Sequence, residues 1–202
     1  MLRRLLDAVP KHAENRWLRF YALRWLFVSL EEEGHSEEGE AVVERIEALS
    51  EEEQHPFDAA HWRAQAANQR LRPSVGSLLR AEAALAALAE AERHLPAGDA
   101  FRTGKFQILR NNTGSSLADI GLFALAEPIL RADAAGPSAN GYTFGRLAGC
   151  VWAQGGDRKA AFALIRKGQA MEPRERFWDW LGKRPEFQSV AGDPEFQAAG
   201  TP

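Results

Sequence analysis

No stretch of this chain alternates apolar and polar residues as a half-buried strand must, and β-branched residues are few. Apolar positions instead recur every three or four residues, and breaks containing glycine or proline interrupt them at fairly regular intervals. This spacing predicts helices over 2–9, 14–33, 37–51, 57–71, 77–94, 100–113 (running on or restarting through 115–120), 122–134, 141–154, 157–170 and 174–182. Short helical turns are expected at 185–191 and 194–199. The fold class that follows is all-α. At 202 residues the chain is long enough to bury a real core.

Local chemistry supports several of these boundaries. Ser36 ahead of Glu37 and Glu38 is expected to cap its helix, with the acids at the positive helix end. Asp99 is placed to start the helix at 100, and Asp58 to assist the one carrying His61 and Trp62. In the run from Ser77 to Leu95, Leu78, Leu85 and Leu88 share one broad face with Ala81, Ala84 and Ala91.

The helices fall into pairs, and one pair repeats. Shifting GSSLADIGLFALAEPILRADAAGPS, from Gly114, by 35 residues lays it on GCVWAQGGDRKAAFALIRKGQAMEP, from Gly149. Gly114 then falls on Gly149, Leu117 on Trp152, Gly121 on Gly156, Ala126 on Ala161 and Leu130 on Ile165. The first glycine permits close helix contact at the backbone, and the large apolar residue fills the layer between helices. The second glycine permits a tight turn. The alanine marks a crossing, and the aliphatic one turn later faces the same core.

This wording resembles the tetratricopeptide repeat, a 34-residue helix–turn–helix unit. GLFALAEPILRADA is especially similar to the family's G-x-x-x-x-A-E-P-L-L-R-x-A-L pattern, and Pro173 falls at its closing proline, three residues past Ala170. The resemblance is strongest over 107–175 and looser over 57–96, where Ala84, Leu88, Ala91 and Pro96 match but the spacing to the next copy is 42. Over 14–51 it is architectural only. Arg110 and Gly145 stand where the family usually has an early tryptophan, and Pro128 lies inside a helix at a place where the family tolerates it. The resemblance implies an α-α superhelix of antiparallel helix pairs. In that layout 1–56 is a divergent N-terminal helical region, 57–175 holds the repeats and 176–202 is a capping segment. Phe177, Trp180 and Leu181 would cover the last repeat. The doubled PEFQ, at Pro185 and Pro194, would form two proline-started turns, each pressing one phenylalanine onto the stack and leaving its glutamate and glutamine solvated.

The family likeness also implies a function: a non-catalytic scaffold, without cofactor, holding a protein or peptide partner in a concave groove. It places Asn111, Ser115, Thr143 and Arg146 on the groove face, with Arg102 and Lys105 just before. An arginine and an asparagine suit a peptide carboxylate or backbone. The full lysine, asparagine and arginine clamp of the family's chaperone-tail binders is not present.

Charge and chemistry narrow the field further. Net charge is −3, yet 31–58 holds 12 acidic residues and one basic residue, Arg45. A local balance of −11 without a basic stripe argues against nucleic acid. An alternative function is therefore an immunity or antitoxin-type protein that docks a basic toxin on this block. His55, Asp58 and His61 are three apart beside Glu51–Glu53, but Pro56 separates His55 from the helix, and no metal site is assigned. Cys150 has no histidine after it and reads as a buried, inert thiol. Gln154-Gly155-Gly156-Asp157 is turn chemistry rather than a phosphate cradle. A third possibility is an enzyme with a site in the helical groove, whose mark would be a buried cluster of titratable groups with shifted pKa values.

Compartment is read from the same residues. One cysteine excludes an internal disulfide framework and suits a reducing cytoplasm. The opening MLRRLLDAVPKHAENRW lacks a signal-peptide core, and the apolar stretch Trp17–Leu30 is 14 residues long with Arg19 and Arg24 inside it, unsuited to spanning a bilayer. Arginine outnumbers lysine 20 to 5, a bias of GC-rich bacterial genomes.

Overall fold

A computed structural model describes residues 16–71, 78–137, 139–190 and 192–199. The helix expected at 2–9 lies outside them. The helices are α1 (Arg16–Glu32), α2 (Ser36–Glu51), α3 (Pro56–Gln69), α4 (Leu78–Arg93), α5 (Ala100–Asp119), α6 (Phe123–Ala134), α7 (Gly141–Ala153), α8 (Arg158–Gln169), α9 (Arg174–Gly182) and α10 (Pro194–Ala199), with a 3-10 turn at Pro185–Val190. No strand occurs among the described residues. The fold is all-α, with consecutive helices packed as adjacent pairs. The chain divides into two compact units, Met1–Phe106 and Gln107–Pro202, the division falling inside α5.

In the first unit α1 packs on α2, α2 on α3 and α3 on α4. Phe20, Leu23, Leu26, Phe27 and Leu30 of α1 meet Val42, Val43, Ile46 and Leu49 of α2, with Trp62 and Ala66 of α3 completing the cluster. Arg70 ties the layers by hydrogen bonds to Glu47 and to Glu40, the latter at 2.7 Å. On α4 the buried face is Ala81, Ala84, Leu88 and Ala91. Leu78 does not share it and is exposed.

In the second unit α6 packs on α7 and α7 on α8. Phe177 and Leu181 of α9, Phe187 of the 3-10 turn and Phe196 of α10 close over Ala148, Phe162 and Ile165. This is the capping role expected of the doubled PEFQ. The two copies differ, however. The Glu186 side chain is only 4% exposed beside Arg184, whose Nε donates to it at 3.0 Å. It is not solvated, and the space it occupies exists because position 149 is glycine: a Cβ there would strike the Glu186 side chain.

Three helix pairs share one turn. Gly34, Gly121 and Gly155 have φ of +80°, +80° and +70°, a region glycine enters without a Cβ clash. Each is followed by a backbone bond back across the turn: His35 N to Leu30 O, Leu122 N to Leu117 O, and Gly156 N to Val151 O, at 2.8, 2.9 and 2.9 Å. This corrects the register. At the turn Gly121 corresponds to Gly155 and Leu117 to buried Val151, a shift of 34. Ala126 still matches Ala161 and Leu130 matches Ile165, all fully buried, at a shift of 35. The extra residue is absorbed at Gly156. Trp152 does not fill the layer; it is half-buried and stacks on Phe162.

Other local expectations change for physical reasons. Ser36 is inside α2; His35 holds the cap position and makes no side-chain cap bond. Asp58 does not cap, since Arg102 and Trp17 take its carboxylate. Asp99 does cap, accepting from Arg102 N at 2.9 Å. No break falls between 113 and 115: α5 runs unbroken, and Thr113 is buried, its hydroxyl donating to Leu109 O at 3.0 Å. Gly114 meets Leu130 and Ile129 side chains rather than a backbone. The backbone-to-backbone approach belongs to another pair, Gly141 and Gly168, where α7 and α8 cross.

Candidate functional site

The second unit carries an open polar pocket of about 460 Å³ lined by α5, α7 and α9. Tyr142 and Arg146 stand one turn apart on α7. Arg176, Trp180 and Lys183 follow helical spacing along and just beyond α9, with Asp179 beside them. Asn111 and Asn140 complete the lining. Three cations face one acid, and that acid, Asp179, already pairs with Lys183 at 2.7 Å. The pocket is therefore positive. The sequence reading placed Asn111 and Arg146 on a groove face and the structure brings both to this pocket. It missed α9 as a wall, although the Arg176, Trp180 and Lys183 spacing was legible.

Asn111 is committed more deeply than a free gripping residue. Its Nδ2 donates to Asp133 Oδ2 at 2.6 Å and to Thr143 Oγ1 at 2.7 Å. Both amide hydrogens are used, so its remaining offer to a ligand is an acceptor oxygen, which suits a peptide N–H rather than a carboxylate. Thr143 is buried and spends its hydroxyl on Asn111 and Asn140 while its N–H donates to the Asn140 cap at 3.0 Å. Thr143 therefore positions the pocket rather than gripping. Ser115 is buried, with a hydroxyl that lacks a partner. Asp133, fully buried, accepts from Asn111 and from Arg110 at 3.4 Å. An Asp133→Ala change is expected to cost about 3 kcal/mol in urea unfolding, because it strands buried donors. A loss below about 1 kcal/mol would show that these bonds carry little.

Arg146 supplies the electrostatic centre. Its guanidinium lies 5.2 Å from the Trp180 ring centroid, and Arg184 approaches the same ring at 5.7 Å. Trp180 sits where it does because Gly145 leaves room; a Cβ at 145 would lie 2.6 Å from its ring. Asp119 is taken by Arg184 and stands 3.8 Å from Arg146 Nε, which has no hydrogen-bond partner. Burial lowers the Arg146 pKa from its ordinary value against the pull of Asp119, so an arriving anion gains more here than at a solvated arginine. Cys150 is buried, and burial, with Glu127 and Glu186 nearby, pushes its thiol up to about 12. It is not a nucleophile at neutral pH.

The remaining two expected groove residues lie in the first unit. Arg102 is not free: its Nε and Nη2 grip Asp58 at 2.9 and 2.8 Å, and its Nη1 holds Asp99 at 2.7 Å. Lys105 places its ammonium 4.9 Å from the Tyr21 ring, 5.0 Å from Phe101 and 5.7 Å from Trp17. Beside them His61 is 2% exposed and ringed by Trp17, Phe20 and Phe57. Burial pushes its pKa down to about 3, with Asp58 pulling the other way and Lys105 and Arg24 adding to the fall. The signal for this cluster was a polar stripe (Asp58, His61, Gln65, Asn68) at helical spacing, and the structure places it on a helix most of whose residues are buried.

The acidic block is partly spent inside the first unit. Glu40 and Glu47 hold Arg70, Glu53 pairs with Arg16, and Asp58 with Arg102. Among the described residues no group of His, Cys, Asp and Glu is arranged to hold a metal, and no helix is long and apolar enough to cross a membrane. Compared with known protein families, curated proteins and solved structures, the chain matches none.

Proposed function

We propose that this chain is a non-catalytic, tetratricopeptide-like helical-repeat protein that binds an acidic peptide segment of a partner protein in the pocket of the second unit. The observation that carries the reading is the cation excess there, with the Arg146 guanidinium lying over Trp180 and its Nε making no hydrogen bond, Asp119 standing off at 3.8 Å. A guanidinium on an aromatic face keeps its edge for a carboxylate, and Arg176 and Lys183 extend the same field. Asn111 then offers its oxygen to a backbone N–H. The three glycine turns and the doubled PEFQ cap support the repeat assignment. Docking of a basic partner on 31–58 has less behind it, since four of that block's acids already hold arginines. An enzyme in the groove finds its mark in His61, but a histidine held neutral down to about 3 is a poor base at neutral pH.

Fluorescence anisotropy with labelled acidic, neutral and basic peptides tests the proposal. The acidic set is expected to bind preferentially, and an Arg146→Met, Arg176→Ala double variant with unchanged melting to weaken binding at least tenfold, about 1.4 kcal/mol. Equal affinity for basic peptides, or an unaffected double variant, overturns it.

A further inference from the structure

Among the buried side-chain polar atoms of the first unit that lack a hydrogen-bond partner are Tyr21 Oη on α1, and His61 Nδ1, Gln65 Oε1 and Asn68 Oδ1 on α3. His61, Gln65 and Asn68 are 2%, 3% and 6% exposed. They lie at i, i+4 and i+7, on one stripe of α3. That stripe faces α1 through the Trp17 and Phe20 contacts with His61. Lys105, from the first turns of α5, leans over Trp17 and Tyr21. Arg24, one turn beyond Tyr21, also acts on His61 and leaves its Nε without a bond. No carboxylate among the described residues pairs with Arg24 or Lys105, while the nearby Asp58 is neutralised by Arg102. The seam thus has two unpaired cations and several unmet hydrogen bonds. Each unmet group is costly when dry, and a protein seldom keeps several together without something to satisfy them.

We infer that this seam between α1, α3 and the start of α5 is a binding site for a small anion-bearing molecule, a carboxylate or a phosphate. Arg24 and Lys105 meet its charge. Tyr21 Oη and a protonated His61 Nδ1 donate to its oxygens, while Gln65 Oε1 and Asn68 Oδ1, which only accept, take a hydroxyl or N–H that the molecule carries beside its charge. The aromatic walls exclude water, which strengthens each of these bonds. The site is independent of the peptide pocket, and neither inference rests on the other.

The test is calorimetric titration of the full chain with inorganic phosphate and, separately, with malate, each of which carries a hydroxyl beside its charge, with His61 ring protons followed by NMR. At least one anion is expected to bind saturably at one per chain and to shift the His61 signals; which one does so distinguishes phosphate from carboxylate. Lys105→Met and Arg24→Met, which keep apolar stems, are each expected to weaken binding about tenfold or more without changing the melting profile. Arg146→Met is expected to leave it untouched. Saturable binding that survives both stem variants overturns the inference. So does the absence of saturable binding by either anion up to about 10 mM, roughly 3 kcal/mol at the 1 M standard state; water alone then satisfies the seam.

Discussion

Replacing Gly141 by alanine is expected to destabilise the second unit by about 3 kcal/mol, a fall of roughly 10 °C in Tm. A Cβ at 141 overlaps the Gly168 carbonyl oxygen and Glu172 Cγ. The first of these is backbone and cannot turn away. Gly168 is locked reciprocally, since its own Cβ would lie 2.6 Å from Gly141 O and 3.0 Å from the Phe177 ring. The only relief is to part α7 from α8, which opens the layer holding Phe162 and Ile165. Glu172 adds a second loss, because its carboxylate accepts from Gly141 N at 3.0 Å. The control is Gly104→Ala. Gly104 sits inside α5 with nothing near its absent Cβ, so alanine there is expected to stabilise by about 0.5–1 kcal/mol through helix propensity. Thermal melts by circular dichroism decide both. Two changes of similar small size would show that helix propensity, not the crossing, governs position 141.

Acidification from pH 7 is expected to weaken the first unit through His61. Its folded pKa is about 3, below the ordinary 6.5. Between those values the unfolded chain binds a proton that the folded chain refuses. Stability therefore falls as pH drops through that window and is fully regained above 6.5. At pH 4.5 the loss from this one group is about 2–3 kcal/mol. Carboxylates titrate in the same range, so the informative quantity is the difference from a His61→Gln variant. Urea midpoints at pH 7, 6 and 5 should converge as pH falls, the variant losing less. Parallel curves would mean that His61 becomes protonated within the fold, with Asp58 outweighing burial and the charges of Arg24 and Lys105.

Much of the helical layout was legible because its signals are local. Helix boundaries rest on glycine and proline breaks and on apolar spacing, both carried by neighbouring residues. Asp99, Asp157 and Asp193 cap as their positions suggest. The repeat was legible too, but only to within one residue. Ala126 with Ala161 and Leu130 with Ile165 define the second helices, whereas Gly121 with Gly155 defines the turns, and a single shift cannot satisfy both.

The sites were harder to read for a different reason. Whether a polar side chain grips a ligand depends on what its neighbours in space have already claimed. Arg102 was expected beside the groove and is held by two carboxylates; Asn111 was expected on the groove face to hold a peptide and is held by Asp133 and Thr143. Those partners are 3, 22, 32 and 44 residues away, and only the first is visible locally. Conversely, His61 and Trp180 gain their character from residues that are absent: any satisfied partner for His61 Nδ1, and a side chain at Gly145.

The amino-acid sequence by itself determined that the chain is helical, where its helices stop, and that its last turns close a hydrophobic layer, because hydrogen bonding within a helix and the exclusion of proline and glycine act over a few residues. Only the tertiary structure decided which polar groups remain available. Glu186 and Gln188 both belong to one PEFQ copy; the side chain of the first is buried against Arg184 and the second is exposed, because packing across the layer settles which polar group meets a partner and which meets water.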